Sequence, residues 1–326
     1  MCQPYLIQSV GLAIAAALFI GCSSTGGGKS SSDRNIDGRE VELLGGTEPV
    51  PYDPTVTAEQ RSAGILLAEI DQSLRAWNNI VLDGKAAEDL TRLDLLETTL
   101  RHKVRTNHGV LVDQLQTGAL VNRQIAAAAL GFSGDSESLP ALLGALQDTN
   151  DDVVANALLG LSTLQSPNTQ VGGIAKLFSD PSKPVNIRSN AGRTLRTIRL
   201  GNLDESSRAQ VIEAARLALG DEEASVRVHG SLILAELVDK EAIQRISLLL
   251  MDPSPLVARA ASRSIARIGS MDQSLKGRAA RALTAFIDKV DRQNVRKSLL
   301  DDLQRMAQVN YGDNTDAWIE YAHKLP

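Results

Sequence analysis

From Ala58 onward, apolar side chains recur at three- and four-residue intervals, the spacing of a helix with one face turned inward. Ile70, Leu74, Trp77 and Val81 predict one helix, and Leu93, Leu96, Leu100, Val104, Leu111 and Leu115 predict a second that opens after Gly84. From about residue 117 the pattern repeats itself. An aliphatic anchor, a small residue four later and Leu or Ile eight later occur as Val153, Ala157 and Leu161; Ile187, Ala191 and Leu195; Val226, Gly230 and Leu234; and Val257, Ala261 and Ile265. Partial copies start at Asn122, with Ala126 and Leu130, and at Val295, with Leu299 and Leu303, so successive anchors stand 31, 34, 39, 31 and 38 residues apart. Offsets of four and eight share one helical face, and the small middle residue lets a neighbouring helix approach closely.

Each anchored segment follows another apolar stretch: LPALLGALQD, VGGIAKLFSD, AQVIEAARLALGD or EAIQRISLLLMD. These end at Asp148, Asp180, Asp221 and Asp252, with Pro181 and Pro253 directly after two of them. Pro stops a helix and Asp shapes the turn into the next, so the unit is helix, turn, helix. The stretch LGDEEASVRVHGSLIL and its relatives NRQIAAAALGFSGD and LMDPSPLVARAASRSIARIGS resemble the HEAT repeat and its HEAT-like variants. The resemblance spans about 190 residues and implies an all-α fold, an α-α superhelix of about five to six helical hairpins. It also implies a ladder between repeats, in which the turn Asp meets an Arg that follows the anchor. Arg123, Arg188, Arg227 and Arg296 match that position, while Val154 and Ala258 break it. The expected organisation is a helical hairpin cap over 58–116, repeats over 117–309 and a capping helix over 310–326. In the last of these, Asp313 to Asp316 offer a helix start, and Trp318 and Tyr321 share a face.

The amino-terminal segment follows a different pattern. Val10 to Ile20 is an unbroken apolar run of signal-peptide length, too short for a membrane-spanning helix. The following FIGC, Phe19 to Cys22, resembles the bacterial lipobox. The resemblance implies a lipoprotein signal peptide over 1–21, cleavage after Gly21 and lipid attachment, palmitate included, at Cys22. Ser23 then implies the outer membrane, facing the periplasm. An ordinary secretory signal or an uncleaved anchor are the alternatives. Residues 22–57, rich in Gly, Ser and Pro, predict a flexible tether. Gly26 to Lys29 is not a phosphate loop, because the position five before Gly28 is Ser23 and no helix pattern follows.

Composition narrows the chemistry. Aromatic residues are only 3% of the chain, so its core must be built from Ala, Leu, Ile and Val. A net charge of −5 argues against a nucleic-acid binder. The two cysteines are Cys2, inside the signal, and Cys22, which leaves no disulfide or Cys-based metal site in the mature chain. None of His102, His108, His229 and His323 is followed by Glu, the pairing with which HEAT-repeat hydroxylases hold iron. GFSGD at Gly131 lacks the spacing of a nucleophile elbow. No catalytic, metal-binding or cofactor-binding residue is assigned, no cofactor is expected, and the chain reads as a non-enzyme.

One charge pattern stands out. Between Pro255 and Lys297 there are ten Lys or Arg against three Asp. Arg259, Arg263 and Arg267 follow at four-residue steps, opposite Val257, Ala261 and Ile265, and Arg193 holds the position equivalent to Arg263. In HEAT-like solenoids the second helix of each pair lines the concave side, so this stripe is a candidate site for an acidic protein partner, a polyanionic glycan or lipid headgroups. The expected function is a lipid-anchored envelope scaffold that binds a protein partner on its solenoid surface. The alternative is a HEAT-like lyase or enzyme subunit acting on a chromophore or protein substrate.

Overall fold

The anchor residues are those that water does not reach. In a computed structural model, which describes residues 58–83, 87–198 and 200–326, the side chains of Val153, Ala157, Leu161, Ile187, Ala191, Leu195, Val226, Leu234, Val257, Ala261 and Ile265 all have zero exposure. The signal peptide, Cys22 and the tether lie outside the described residues. The first described helices are α1 (Ala58–Asp83) and α2 (Ala87–Thr106). Six hairpins follow: α3 (His108–Thr117) with α4 (Leu120–Leu130), α5 (Leu139–Ala145) with α6 (Asp151–Leu164), and α7 (Val171–Ser179) with α8 (Val185–Thr197). The others are α9 (Glu205–Ala218) with α10 (Ala224–Glu236), α11 (Ile243–Leu248) with α12 (Pro255–Met271), and α13 (Lys276–Thr284) with α14 (Gln293–Ala307). Helix α15 (Thr315–Lys324) closes the array, and no strand occurs among the described residues. The fold is a HEAT-like α-solenoid. Among the described residues no helix is long and apolar enough to cross a membrane.

Small residues set how closely the helices stack. A Cβ added at Gly160 would lie 2.4 Å from the carbonyl oxygen of Ala127, so α6 meets α4 backbone to backbone. At Gly192 an added Cβ would fall 2.6 Å from the Phe178 ring and 2.8 Å from the His229 Cβ. The second helices, α4, α6, α8, α10, α12 and α14, form an unbroken row in which each packs on the next. The first helices touch one another less extensively, apart from α7 and α9. Closer packing on one side curves a stack toward it, which makes the second-helix row the inner face.

The turns repeat one polar device. Asp148, Asp180, Asp221 and Asp252 each accept a hydrogen bond from the backbone N–H two residues on, at 2.8–2.9 Å. This is an Asx turn, which fixes the bend between the two helices of a hairpin. Arginines then tie three of these carboxylates to the preceding repeat. Arg123 donates to Asp148 at 3.0 and 3.3 Å, Arg188 to Asp221 at 2.9 Å twice, and Arg227 to Asp252 at 2.8 and 2.9 Å. Each guanidinium also donates to a carbonyl of its own turn, Gly118, Lys183 or Asp221. Where Val154 replaces the arginine, the Asp180 carboxylate bonds only Ser182 among the described residues. Arg296 departs from the ladder as well: it bonds Ile287, Asp288 and Thr315.

Both ends are covered. Helix α1 packs on α2 and α4, with Leu67 and Ile70 in the shared core. Sequence periodicity carries a single helix through Leu115, but the chain breaks it at Asn107, whose Nδ2 donates to the Lys103 carbonyl at 2.8 Å. Leu111 and Leu115 therefore belong to α3, which pairs with α4. Asparagine's short amide shares that carbonyl with its own N–H, and the helix ends there without a change in the apolar period. At the other end α15 packs on α13 and buries Trp318 completely. The Trp318 indole N–H donates to the Gly312 carbonyl at 2.9 Å.

Candidate binding face on the second helices

The inner row carries arginines outward because its anchors take the opposite side of each helix. On α12, Val257, Ala261 and Ile265 are buried, while Arg259 is half-buried and Arg263 and Arg267 are exposed. Arg267 pairs with Glu236 of α10, and both side chains stay about half exposed, at 46% and 49%. Solvent screens such a pair, so little net attraction is expected from it. Arg259 and Arg263 have no ion pair among the described residues.

Two helices away, α8 presents Arg193 and Arg196 on the same side. Burial pushes the Arg193 guanidinium pKa below its ordinary value. Arg196 is pushed down first by burial and then by repulsion from both Arg193 and Arg263, with Glu236 opposing. Arg196 therefore lies within electrostatic reach of Arg193 on its own helix and of Arg263 across α10. His229 on α10 lies beneath them. It is buried, its pKa falls to about 3 through burial and the nearby Arg196 and Arg193, and its Nδ1 lies 3.3 Å from Arg196 Nη1. At neutral pH the imidazole is therefore uncharged, and its Nδ1 can accept a hydrogen bond from the guanidinium. Farther along, buried Asp302 on α14 accepts from Ser262 Oγ at 2.6 Å and pairs with Arg305. Burial raises its carboxyl pKa, against the hydrogen bond from Ser262 and the pull of Arg305 and Arg263.

Thus Arg193 and Arg263 belong to one basic region, and Arg267 is partly neutralised by Glu236. The sequence reading missed Arg196, which links Arg193 to Arg263. Its spacing of three from Arg193 was the available signal, since residues three apart share a helix face. It also missed a cleft of about 290 Å³ beside Arg193, where α1, α2 and α6 meet α8. Trp77 and Phe132 line it, edge to face with ring centres 5.2 Å apart, and Trp77 Nε1 donates to Glu97 at 2.9 Å. Arg101 stands at the same opening.

The histidines are dispersed. His102 and His323 are exposed, and His108 is half-buried with Nε2 2.9 Å from Ser138 Oγ. Among the described residues no three His, Cys, Asp or Glu side chains gather as a metal site would require.

No family model and no curated protein matches this chain. Solved structures do. An engineered protein aligns at 17% identity over 81% of this chain and 77% of its own, with a TM-score of 0.47. The CpcE–CpcF complex of phycocyanin lyase from Nostoc aligns at 17% identity over 88% and 100%, with a TM-score of 0.39. Human deoxyhypusine hydroxylase aligns at 18% identity over 76% and 99%, with a TM-score of 0.28. The likeness is one of fold.

It nevertheless corrects one expectation. Two of these three similar structures are a lyase complex and a hydroxylase, so a non-enzymatic chain does not follow from this architecture. The sequence reading inferred it from missing His-Glu pairs, which bears on a single kind of metal chemistry. A repeat surface can hold reacting groups drawn from distant helices that no local motif reports.

Proposed function

We propose that the chain binds a protein partner on its inner face, with Arg193, Arg196, Arg259 and Arg263 meeting acidic groups and Arg267 at the rim. The observation that carries this reading is the concentration of guanidinium charge on α8 and α12, which Glu236 opposes only in part. Such a field raises the encounter rate with an anionic surface and selects against basic ones. Reversal of Arg259, Arg263 and Arg267 to Glu should weaken capture of the partner at least tenfold and flatten the salt dependence of binding. Crosslinking in native membranes, followed by affinity capture with both proteins, measures this. Unchanged capture by the reversed variant would remove the proposal, and binding to acidic glycan or anionic vesicles alone would reassign the face.

A second reading keeps the same face and gives it a substrate, as for a lyase or enzyme subunit acting on a chromophore or protein. The cleft beside Arg193 supports it, being large enough for a small organic group. Co-purification of a visible chromophore, or turnover of a protein substrate, would favour it over simple capture.

The address belongs to the proposal as well. Residues 1–21 would act as a lipoprotein signal peptide, Cys22 as the lipid-bearing residue and 22–57 as a tether. The helices from α1 to α15 would then stand on the periplasmic side of the outer membrane.

A further inference from the structure

The cleft between Trp77, Phe132, Arg101 and Arg193 has donors to spare, and its hydrogen bonds show which. The hydroxyls on its wall are committed to helix carbonyls: Ser162 and Thr163 both donate to Leu159, at 2.8 and 3.1 Å, and Thr197 donates to Thr194 at 2.8 Å. Glu97 accepts from the Trp77 indole N–H at 2.9 Å. Arg101, Arg193 and Gln165 also line the opening, and none of the three side chains has a hydrogen bond or ion pair among the described residues. Gln165 closes α6 in the left-handed region, at φ 50°, a conformation that residues other than glycine seldom adopt. It stands at the cleft as a third uncommitted donor.

The other wall is apolar. Phe132 is 7% exposed and meets the Trp77 edge at an interplanar angle of 87°. A volume of about 290 Å³ suits a residue or two of a peptide. Two guanidiniums exceed the single carboxylate of Glu97 there, so an entering group gains by carrying negative charge. The requirement is an apolar side chain against Trp77 and Phe132 with a carboxylate near Arg101 and Arg193.

We propose that this cleft seats a carboxylate joined to an aromatic or aliphatic side chain, as in the carboxyl-terminal residue of a protein partner. The partner's being a protein rests on the function proposed above, whereas the carboxylate and the apolar group follow from the cleft. Phosphate is disfavoured, because a dianion would exceed the net single positive charge of Arg101, Arg193 and Glu97 around the opening.

The probe is the dipeptide acetyl-Leu-Phe with a free carboxylate, compared with its carboxamide and with 3-phenylpropionate. Each is titrated into the full chain while the indole N–H signal of Trp77 is followed by NMR. The chain has two tryptophans, and Trp77→Phe assigns the signal. The acid should shift the Trp77 signal saturably and bind at least about tenfold more tightly than the amide, which lacks the charge that strengthens hydrogen bonds to arginine. Arg193→Gln and Arg101→Gln should each remove most of that preference, whereas Lys176→Gln, on another wall of the molecule, should leave it intact. Circular dichroism melts show whether the variants fold; if Arg193→Gln does not, the acid-against-amide comparison on the native chain decides alone. Equal binding of acid and amide, or no shift with either, overturns the proposal. Binding of 3-phenylpropionate without the dipeptide overturns the peptide terminus as occupant and assigns the cleft to a free small acid. Arg193 serves both sites, but the dipeptide titration does not involve Arg259, Arg263 or Arg267, whose reversal tests the wider face alone, so the two results are read separately.

Discussion

Arg188 and His229 show how the same interior treats two basic side chains in opposite ways. Arg188 is 3% exposed, yet Asp221 and the Lys183 carbonyl surround its guanidinium, and the hydrogen bonds to Asp221 hold its pKa above the ordinary value. His229 is 8% exposed with no ion-paired acid among the described residues, and burial and two arginines hold it neutral, with a pKa of about 3. In the unfolded chain an imidazole titrates near pH 6.5, so below that value the unfolded state binds a proton that the folded state refuses. Stability linked to His229 is thus fully present above about pH 6.5 and is lost progressively as the pH falls toward about 3. The slope in that window is about 1.4 kcal/mol per pH unit. His229→Gln, which cannot titrate, should keep about 2 kcal/mol more of its pH 7 stability at pH 5 than the native chain does. Urea unfolding at the two pH values measures it, and an identical pH slope in both proteins would contradict the assignment.

The hairpin is the element on which the repeat acts, and the ladder is its joint. Apolar period alone places the helices. It could not place the break at Asn107, because the buried stripe of Val104, Leu111 and Leu115 continues in phase across it. At the break the Asn107 amide bonds the Lys103 carbonyl beside the residue's own N–H, a local contact that hydrophobicity does not encode. The missing rung at Val154 is similarly specific. An opening lined by Val154, Asp148, Asp180 and Lys183 remains there, and Asp180 bonds only to its own turn. Val154→Arg should reach Asp180 through this opening and complete the rung. The joint is open to solvent, so the gain should be at most about 1 kcal/mol, against the loss of a buried valine. A double-mutant cycle with Asp180→Ala isolates the pair: a favourable coupling supports the rung, and no coupling leaves Val154 as packing alone.

Over the whole molecule, small residues and an unbroken row of second helices gather charge that is dilute along the chain. A net charge of −5 conceals a basic region on α8 and α12. The proposed address also belongs to this scale. Two or more acyl chains at Cys22 would hold the solenoid at a membrane essentially permanently. Cys22→Ala should therefore abolish labelled palmitate incorporation and release the chain from membranes. Absence of label on the native chain would rule out the lipid anchor.

The repeats and the buried anchors were legible in the order of residues, because each rests on side chains at fixed local offsets, whereas three rungs of the ladder, between residues 25 to 33 apart, were expected only from the resemblance to HEAT repeats. Arg193, Arg259, Arg263 and Arg267 were placed on outward faces by the same local offsets. Which of them act together emerges only from the folded stack. Arg196 feels Arg263 across an intervening helix, and Trp77, Phe132 and Arg193 reach one cleft from three separate elements. Such proximity depends on how closely helices stack, which glycines such as Gly160 and Gly192 set through contacts distant in sequence.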